Sequence, residues 1–192
     1  MNRRVSQNIR YLLWRQGIRR ERWCPWLAER SGLGLSWCRD LLGSRIDDPD
    51  IGADGLGRLG GAFGHDDGGE TLRFADLVGD GCDVLRENLR YLFGQLPHGE
   101  KKRAAGTIGV DPTTVSRWLS GGAAPQQPTL HLLRAHFALP EDVDLRATPV
   151  FLMFEPMGAV EQRRWLDERL DALTPAELRG LFPALRRMLE ER

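Results

Sequence analysis

The chain has 192 residues, which is long for one small helical domain and suits two or three. Hydrophobic residues make up 41% of it and charged residues 28%, a balance that excludes a disordered chain. No apolar run approaches the roughly 20 residues of a membrane-spanning helix, and no secretory signal follows the basic start Met1–Arg4. The three cysteines have the spacing of neither a disulfide framework nor a metal site, so we expect a cytosolic protein with reduced thiols.

The formal net charge is zero, but the charges are unevenly distributed along the chain. Residues 1–46 carry ten arginines against three acids, whereas residues 47–82 carry nine acids against two arginines. The balance is +3 over residues 83–139 and −3 over residues 140–192. A basic segment can therefore attract a polyanion locally, although a mixed, solvated surface would produce the same counts.

The sequence contains an internal repeat with a period near 80 residues. The segment Asn8–Leu12 (NIRYL) recurs as Asn88–Leu92 (NLRYL). Later landmarks follow in the same order: Leu27-Ala28 and Gly32-Leu33 match Ala104-Ala105 and Gly109-Val110, Gly43 matches Gly121, and Leu56, Leu59 and Phe63 match Leu130, Leu133 and Phe137. Two copies of this length fit a pair of small domains and fall short of a solenoid.

The first copy predicts short helices around a turn at Gly32. The segment that follows runs to Gly43, keeps the frame of the second copy and is one residue shorter. Asp40 stands where the second copy has Arg117. A further short helix is expected from about Ala53 to Phe63, between solvated loops rich in glycine and aspartate.

The second copy begins with a clear amphipathic pattern. An i, i+4, i+7, i+8 stripe predicts a helix that ends before Pro97 and buries Leu85, Leu89, Leu92 and Phe93. A short helix over Gly99–Thr107 would turn Ala104 and Ala105 inward. Gly109 can then adopt the left-handed conformation of a tight turn.

The next helix of the second copy has clear start signals. Asp111 predicts its N-cap, and Pro112 its first residue, because the fixed φ of proline is already helical. The helix is expected to run to Leu119, with Val115 and Leu119 facing the core and Trp118 at the edge of the unit. A further amphipathic helix is predicted over Thr129–Phe137.

At these residues the second copy resembles the lambda-repressor-like (Cro/CI, XRE) helix-turn-helix family. The segment Gly109–Trp118 (GVDPTTVSRW) looks like the turn and recognition helix of that family, and its later helices are matched by Gly121, Leu130, Leu133 and Phe137. The resemblance covers about residues 84–139. It implies a five-helix domain that docks its third helix in the major groove of double-stranded DNA, with Lys101 in place of the family's phosphate-binding glutamine.

The candidate DNA-binding residues follow from the size of the groove, which admits one helix with short polar side chains near its N-terminus. In the second copy they are Pro112, Thr113, Thr114, Ser116 and Arg117, with Lys101 and Lys102 on the preceding helix for phosphate contact. In the first copy they are Ser36, Trp37 and Arg39. Asp40 would repel phosphate, although Ser36, Trp37 and Arg39 could still reach DNA. The first copy is therefore either a second DNA contact or a degenerate copy kept for packing or dimerisation.

The remainder of the chain predicts a plug and a helical hairpin. The apolar run Val150–Phe154 is either a buried strand or an extended plug on the second domain, and no partner strand is evident. A helix is expected over Val160–Ala172, and the capping box Thr174–Glu177 opens a second one. That helix has a wide apolar stripe, which either packs within the chain or forms a homodimer surface: Leu178, Leu181, Phe182, Leu185, Met188 and Leu189.

No pattern in the sequence predicts an active site. The histidines and cysteines lack zinc spacing, and neither a P-loop, nor a dinucleotide fingerprint, nor an EF-hand loop occurs. We therefore expect an all-α, non-enzymatic protein without a cofactor, with helix-turn-helix domains in residues 1–79 and 80–148 and a helical hairpin in residues 149–192. Its expected function is sequence-specific binding of double-stranded DNA, as in a transcriptional repressor of bacterial or phage type. The alternatives are a protein-interaction module, such as an antitoxin-like or adaptor protein, and binding of structured RNA.

Overall fold

The computed structural model describes residues 4–155 and 159–190, without the side chains of residues 159–161, 168 and 188–190. Within these ranges the chain forms eleven α-helices, three short 3-10 helices and no strand, so the prediction of an all-α protein is confirmed. No helix among them is both long enough and apolar enough to cross a membrane.

Five helices build the first unit: α1 (Arg4–Arg15), α2 (Trp23–Ser31), α3 (Leu35–Leu42), α4 (Ala53–Ala62) and α5 (Glu70–Phe74). Apolar residues at i, i+4 and i+8 of α1 face inward, because that spacing places them on one side of a helix. They share a buried core with side chains from the other four helices: Val5, Ile9, Leu13, Leu27, Cys38, Leu41, Leu42, Leu56, Leu59 and Leu72.

Four helices build the second unit: α6 (Val84–Gly94), α7 (Glu100–Ile108), α8 (Pro112–Ser120) and α9 (Gln127–His136). Their core contains Leu89, Phe93, Ala104, Ala105, Val115, Trp118, Leu130, Leu133 and Phe137. The prediction for α8 is partly wrong, because Trp118 is buried in this core while Leu119 is only half-buried. Cys38 and Leu41 of α3 are buried at the same i, i+3 spacing as Val115 and Trp118, so both units turn equivalent faces inward.

A buried asparagine in the repeated five-residue segment occupies the same place in both units. Nδ2 of Asn8 donates to the carbonyl oxygens of Leu72 and Ala75 at 2.9 and 2.7 Å. Nδ2 of Asn88 donates to those of Leu145 and Thr148, both at 2.8 Å. The two acceptors lie three residues apart in each unit, so the repeat extends beyond α9 to residues 145–148.

The segment Val150–Leu152 forms a buried 3-10 helix that joins the two units. Val150 packs into the second core, whereas Phe151 and Leu152 form a third apolar cluster with Tyr11 of α1 and Val78. The ring centroid of Phe151 lies 4.8 Å from that of Trp14. The expectation of a plug is therefore correct in its burial, but the segment is a 3-10 helix rather than an extended chain or a strand, and it contacts the first unit as well as the second.

Two helices, α10 (Ala159–Asp171) and α11 (Pro175–Glu190), follow. The predicted capping box is present: the Glu177 carboxylate accepts from the backbone N–H and hydroxyl of Thr174, whose oxygen accepts from the Glu177 N–H. Several apolar side chains of these two helices are exposed and do not pack within the chain: Leu166, Leu170, Leu178, Leu181 and Phe182. Val160, Met188 and Leu189, which also belong to the predicted helix pair, lie outside the described side chains.

Candidate nucleic-acid interface

The turn between α7 and α8 is set by three consecutive sequence features. Gly109 ends α7 with a φ of 79°, a conformation that costs a glycine little. A carboxylate oxygen of Asp111 then accepts hydrogen bonds from the backbone N–H of Thr113 at 2.8 Å and from its hydroxyl at 2.5 Å. Pro112 occupies the first helical position without losing a backbone hydrogen bond, so the N-terminus of α8 is fixed in direction.

Most of the predicted DNA-binding side chains of α8 lie on its outward face. Pro112, Thr113, Ser116 and Arg117 are exposed, and Thr114 is half-buried, while Val115 and Trp118 anchor the opposite face in the core. The Ser116 hydroxyl donates to the carbonyl of Pro112 at 3.2 Å, which leaves its oxygen available as an acceptor. The helix thus presents short polar groups and one guanidinium to solvent.

Three cations of this region are available to a ligand. Lys101 and Lys102 are exposed at the start of α7, and Arg117 is exposed on α8. In the part of the chain that the structure describes, none of these three side chains forms a hydrogen bond or an ion pair. Arg103, by contrast, lies 3.5 Å from the Glu100 carboxylate. These lysines and Arg117 are the residues predicted from the sequence to contact a phosphate backbone and a base edge.

One carboxylate lies at the N-terminus of α8. The hydrogen bonds that the Thr113 hydroxyl and N–H donate to Asp111 lower the pKa of this carboxyl below its usual value, so it is ionised at neutral pH. Its negative charge offsets the positive end of the dipole of α8. Attraction of an anion to this face must therefore come from the lysines and Arg117 rather than from the helix N-terminus.

The C-terminal end of α8 is held by a residue that the sequence analysis did not predict. Nε of Arg90 donates to the carbonyl oxygen of Leu119 at 2.8 Å, and its guanidinium lies 3.0 Å from the Glu87 carboxylate. In the first unit the hydroxyl of Ser6 donates to the carbonyl oxygen of Leu41 at 2.6 Å. In each unit the first helix therefore holds the C-terminal end of the third helix. The sequence feature that could have indicated this role for Arg90 is its place in the repeated five-residue segment.

The equivalent face of the first unit has different chemistry. Cys24 and Pro25 occupy the positions of Lys101 and Lys102, and burial raises the pKa of the Cys24 thiol. Asp40, at the position of Arg117, accepts a hydrogen bond from the Arg45 guanidinium at 3.3 Å.

The three candidate residues of the first unit differ in their surroundings. Ser36 is exposed, and Trp37 is half-buried against the first core. Arg39 is exposed and lines a groove beside α10. The first unit therefore does not assemble a second set like that on α7 and α8.

The chain matches no protein-family model, no curated protein and no solved structure. The likeness to the lambda-repressor-like family thus stays a prediction from the residues quoted above. Among residues 4–155 and 159–190, no group of three or more histidine, cysteine or acidic side chains could hold a metal ion.

Proposed function

We propose that the second unit binds double-stranded DNA in a sequence-specific manner, with α8 in the major groove. The observation that supports this proposal is the outward face of α8, where hydroxyls and the Arg117 guanidinium, which has no partner among the described residues, are exposed. The opposite face is anchored by Val115 and Trp118. A recognition helix requires this division, because its base-reading side must be open and its backbone must be held rigidly.

The roles within this interface follow from the chemistry of each side chain. Arg117 suits a bidentate contact with the O6 and N7 atoms of guanine, and Thr113, Thr114 and Ser116 can bond other base edges. Lys101 and Lys102 would neutralise phosphates, which positions the protein without reading sequence. The first unit, with Asp40 in place of Arg117, would orient the second unit rather than read bases.

A dimeric regulator is the form in which we propose that the protein acts. The exposed fraction is 46% for Leu181 and 59% for Phe182, and a second copy of α11 could cover both. Two-fold symmetry would place two copies of α8 about 34 Å apart, on half-sites one helical turn from each other. Such a repressor would work in the cytosol, where Cys24, Cys38 and Cys82 would stay reduced.

Selection of duplexes from a random pool tests the proposal directly. The full chain should enrich a defined sequence, and the affinity for that duplex should fall with salt. The slope of log K against log salt should be about −0.9 per phosphate contact. Lys101→Ala should make this slope shallower by about one contact for every duplex tested, while Arg179→Ala on α11 should leave it unchanged.

Two outcomes would contradict the proposal. One is a pool that yields no enriched sequence, with binding equally weak for all duplexes. The other is an identical salt slope for Lys101→Ala and Arg179→Ala. Absence of duplex binding together with capture of a specific protein would favour a protein-interaction module.

A further inference from the structure

A basic groove of about 840 Å³ lies between the first unit and α10. One wall is formed by the start of α2, by α3 and by residues 154–155, and the other by α10. The groove therefore lies on the face of the first unit that is equivalent to the proposed DNA-binding face of the second unit. Its volume falls within the range of sites that hold a ligand or a short chain segment.

The charged groups of the groove favour an anionic occupant. Five arginines and two glutamates line it. Glu155 is already near a guanidinium, since it lies 3.6 Å from Arg45. The Arg39 side chain has no hydrogen bond or ion pair within the described part of the chain, where the Arg169 guanidinium contacts only the Trp165 ring, 5.4 Å from its centroid. Two guanidiniums can therefore donate hydrogen bonds to carboxylates from outside the chain.

The groove also has apolar surface that its own chain does not cover. Leu35, the first residue of α3, is 47% exposed, and Trp165 of α10 is 40% exposed. Apolar side chains of this size, placed between arginines, form the kind of pocket that a buried aromatic or aliphatic anchor fills in protein interfaces.

We propose that this groove binds a short peptide segment of a partner protein, in which carboxylates flank a bulky apolar side chain. The carboxylates would pair with Arg39 and Arg169, and the apolar side chain would lie between Leu35 and Trp165. This interaction is independent of the proposed DNA binding, because it uses the first unit and α10 rather than α7 and α8.

A peptide fits this groove better than a nucleic acid does. A nucleic acid carries a negative charge at every nucleotide, and Glu21 and Glu155 would repel part of such a chain. A peptide can place neutral residues opposite these glutamates. A single strand also needs open aromatic faces for its bases, whereas Arg169 lies over the Trp165 ring and Phe154 packs against the first core.

Fluorescence anisotropy with the full chain tests the proposal. The probe is a labelled peptide of about 12 residues in which Asp and Glu alternate with Leu and Phe. A second peptide, with Lys and Arg replacing the acids, is the control. We expect the acidic peptide to bind, the basic peptide not to bind, and binding to weaken with salt.

Matched variants locate the binding. Arg39→Glu combined with Arg169→Glu should weaken binding about tenfold or more, whereas Arg179→Glu outside the groove should not. Trp165→Ala should weaken binding, and Phe74→Ala, which removes an exposed aromatic residue of α5 outside the groove, should not. Circular dichroism should show the same helicity for all variants, because these side chains are exposed.

Several results would overturn the proposal. They are no binding of the acidic peptide, equal effects of groove and control variants, or displacement of the peptide by a single-stranded oligonucleotide that binds more tightly. Self-association of the chain that the groove variants abolish would identify a second copy as the occupant instead. Failure here would leave the duplex selection unaffected, so the two proposals are separable.

Discussion

Arg20 of the first unit donates from Nη1 to the Tyr91 hydroxyl of the second unit at 2.7 Å, with its guanidinium carbon 4.6 Å from the centre of the Tyr91 ring. Its Nη2 donates to the carbonyl oxygen of Phe151 at 2.9 Å. The same guanidinium lies 5.7 Å from the Trp23 ring. One half-buried side chain thus connects α6, the plug and the start of α2, and fixes the two units relative to each other.

Replacing Arg20 should weaken the attachment between the units. We expect Arg20→Ala to lower the free energy of unfolding by about 2–4 kcal/mol, since charged hydrogen bonds and ring contacts are lost together. Arg20→Lys should not restore it, because an ammonium cannot bond the hydroxyl and the carbonyl while lying flat on a ring. Urea unfolding followed by circular dichroism measures the effect. Arg22→Ala, two residues away and exposed, is the control, and equal midpoints for the two alanine variants would refute the assignment.

Loss of the buried asparagine should destabilise the second unit. Asn88→Ala would leave the carbonyl of Leu145 without its partner, together with the N–H of Phe151, which donates to Oδ1 of Asn88 at 3.1 Å. The carbonyl of Thr148 would lose one of two donors, because the N–H of Val150 also donates to it at 2.9 Å. We expect a cost of about 2–5 kcal/mol, because buried polar groups without partners are expensive. Gln126→Ala, at an exposed position whose side chain caps nothing, is the control. Urea unfolding measures the free energy of unfolding of both variants. If Asn88→Ala lowers it by no more than Gln126→Ala does, water replaces the amide and the prediction is wrong.

Arg117 should contribute to the affinity for DNA and not to the stability of the fold. We expect Arg117→Ala to reduce affinity for the selected duplex by about 1–3 kcal/mol and to relax the preference at one base position. The unfolding midpoint should not change, because the guanidinium is exposed and has no partner in the described chain. Mobility shifts at fixed salt, with Arg179→Ala alongside, measure this difference. An unchanged affinity and preference would exclude a base contact by Arg117.

Cys38 should be chemically inert in the folded protein. Burial raises the pKa of its thiol from about 9 to about 11, and its side chain is fully buried. Since the thiolate is the reactive form, iodoacetamide at about pH 8 should modify Cys24 and Cys82 before Cys38, and all three in urea. Mass spectrometry of peptides checks the order, and early modification of Cys38 would contradict it.

The raised pKa of Cys38 also predicts a pH dependence of stability. A folded-state pKa above the unfolded value means that the neutral thiol is favoured by folding, so its contribution is complete below about pH 9 and is lost as the pH approaches 11. Cys38→Ala should have a flatter decline of unfolding free energy over this interval than the natural chain.

The exposed apolar residues of α11 should hold two chains together. We expect a dimer by light scattering, and a monomer after Leu181→Glu with Phe182→Glu, because a charge would be buried in the interface. Removing residues 159–192 should have the same effect on mass. Arg179→Glu on the same helix is the control. A natural chain that is already monomeric, or a double variant that stays dimeric, would exclude this surface.

The helices of the second copy were predictable because their signals were local. The N-cap Asp111, the proline after it and the turn glycine Gly109 are neighbours in sequence, so spacing alone defined α8. The exposed positions on α8 followed from the same periodicity. The α5 helix was missed, since it has five residues and too few to show a period.

Long-range relationships were beyond the sequence pattern. Trp118 was expected at the edge of its unit, but which of two adjacent apolar residues is buried depends on the packing of α6 against α8. The repeated asparagines were visible as an echo, whereas their carbonyl partners lie more than 55 residues away. The groove beside α10 depends on how the last helices return to the first unit, for which no local signal exists.

The position of the plug imposes an order on synthesis. Tyr11 and Trp14 belong to α1, yet the residue that covers them, Phe151, leaves the ribosome only after both units have been made. A nascent chain therefore carries an uncovered aromatic patch until residue 151 has been made, and such patches are where chaperones bind and where incomplete chains aggregate. If translation stopped between residues 140 and 150, the chain would have two nearly complete cores and an exposed apolar surface between them.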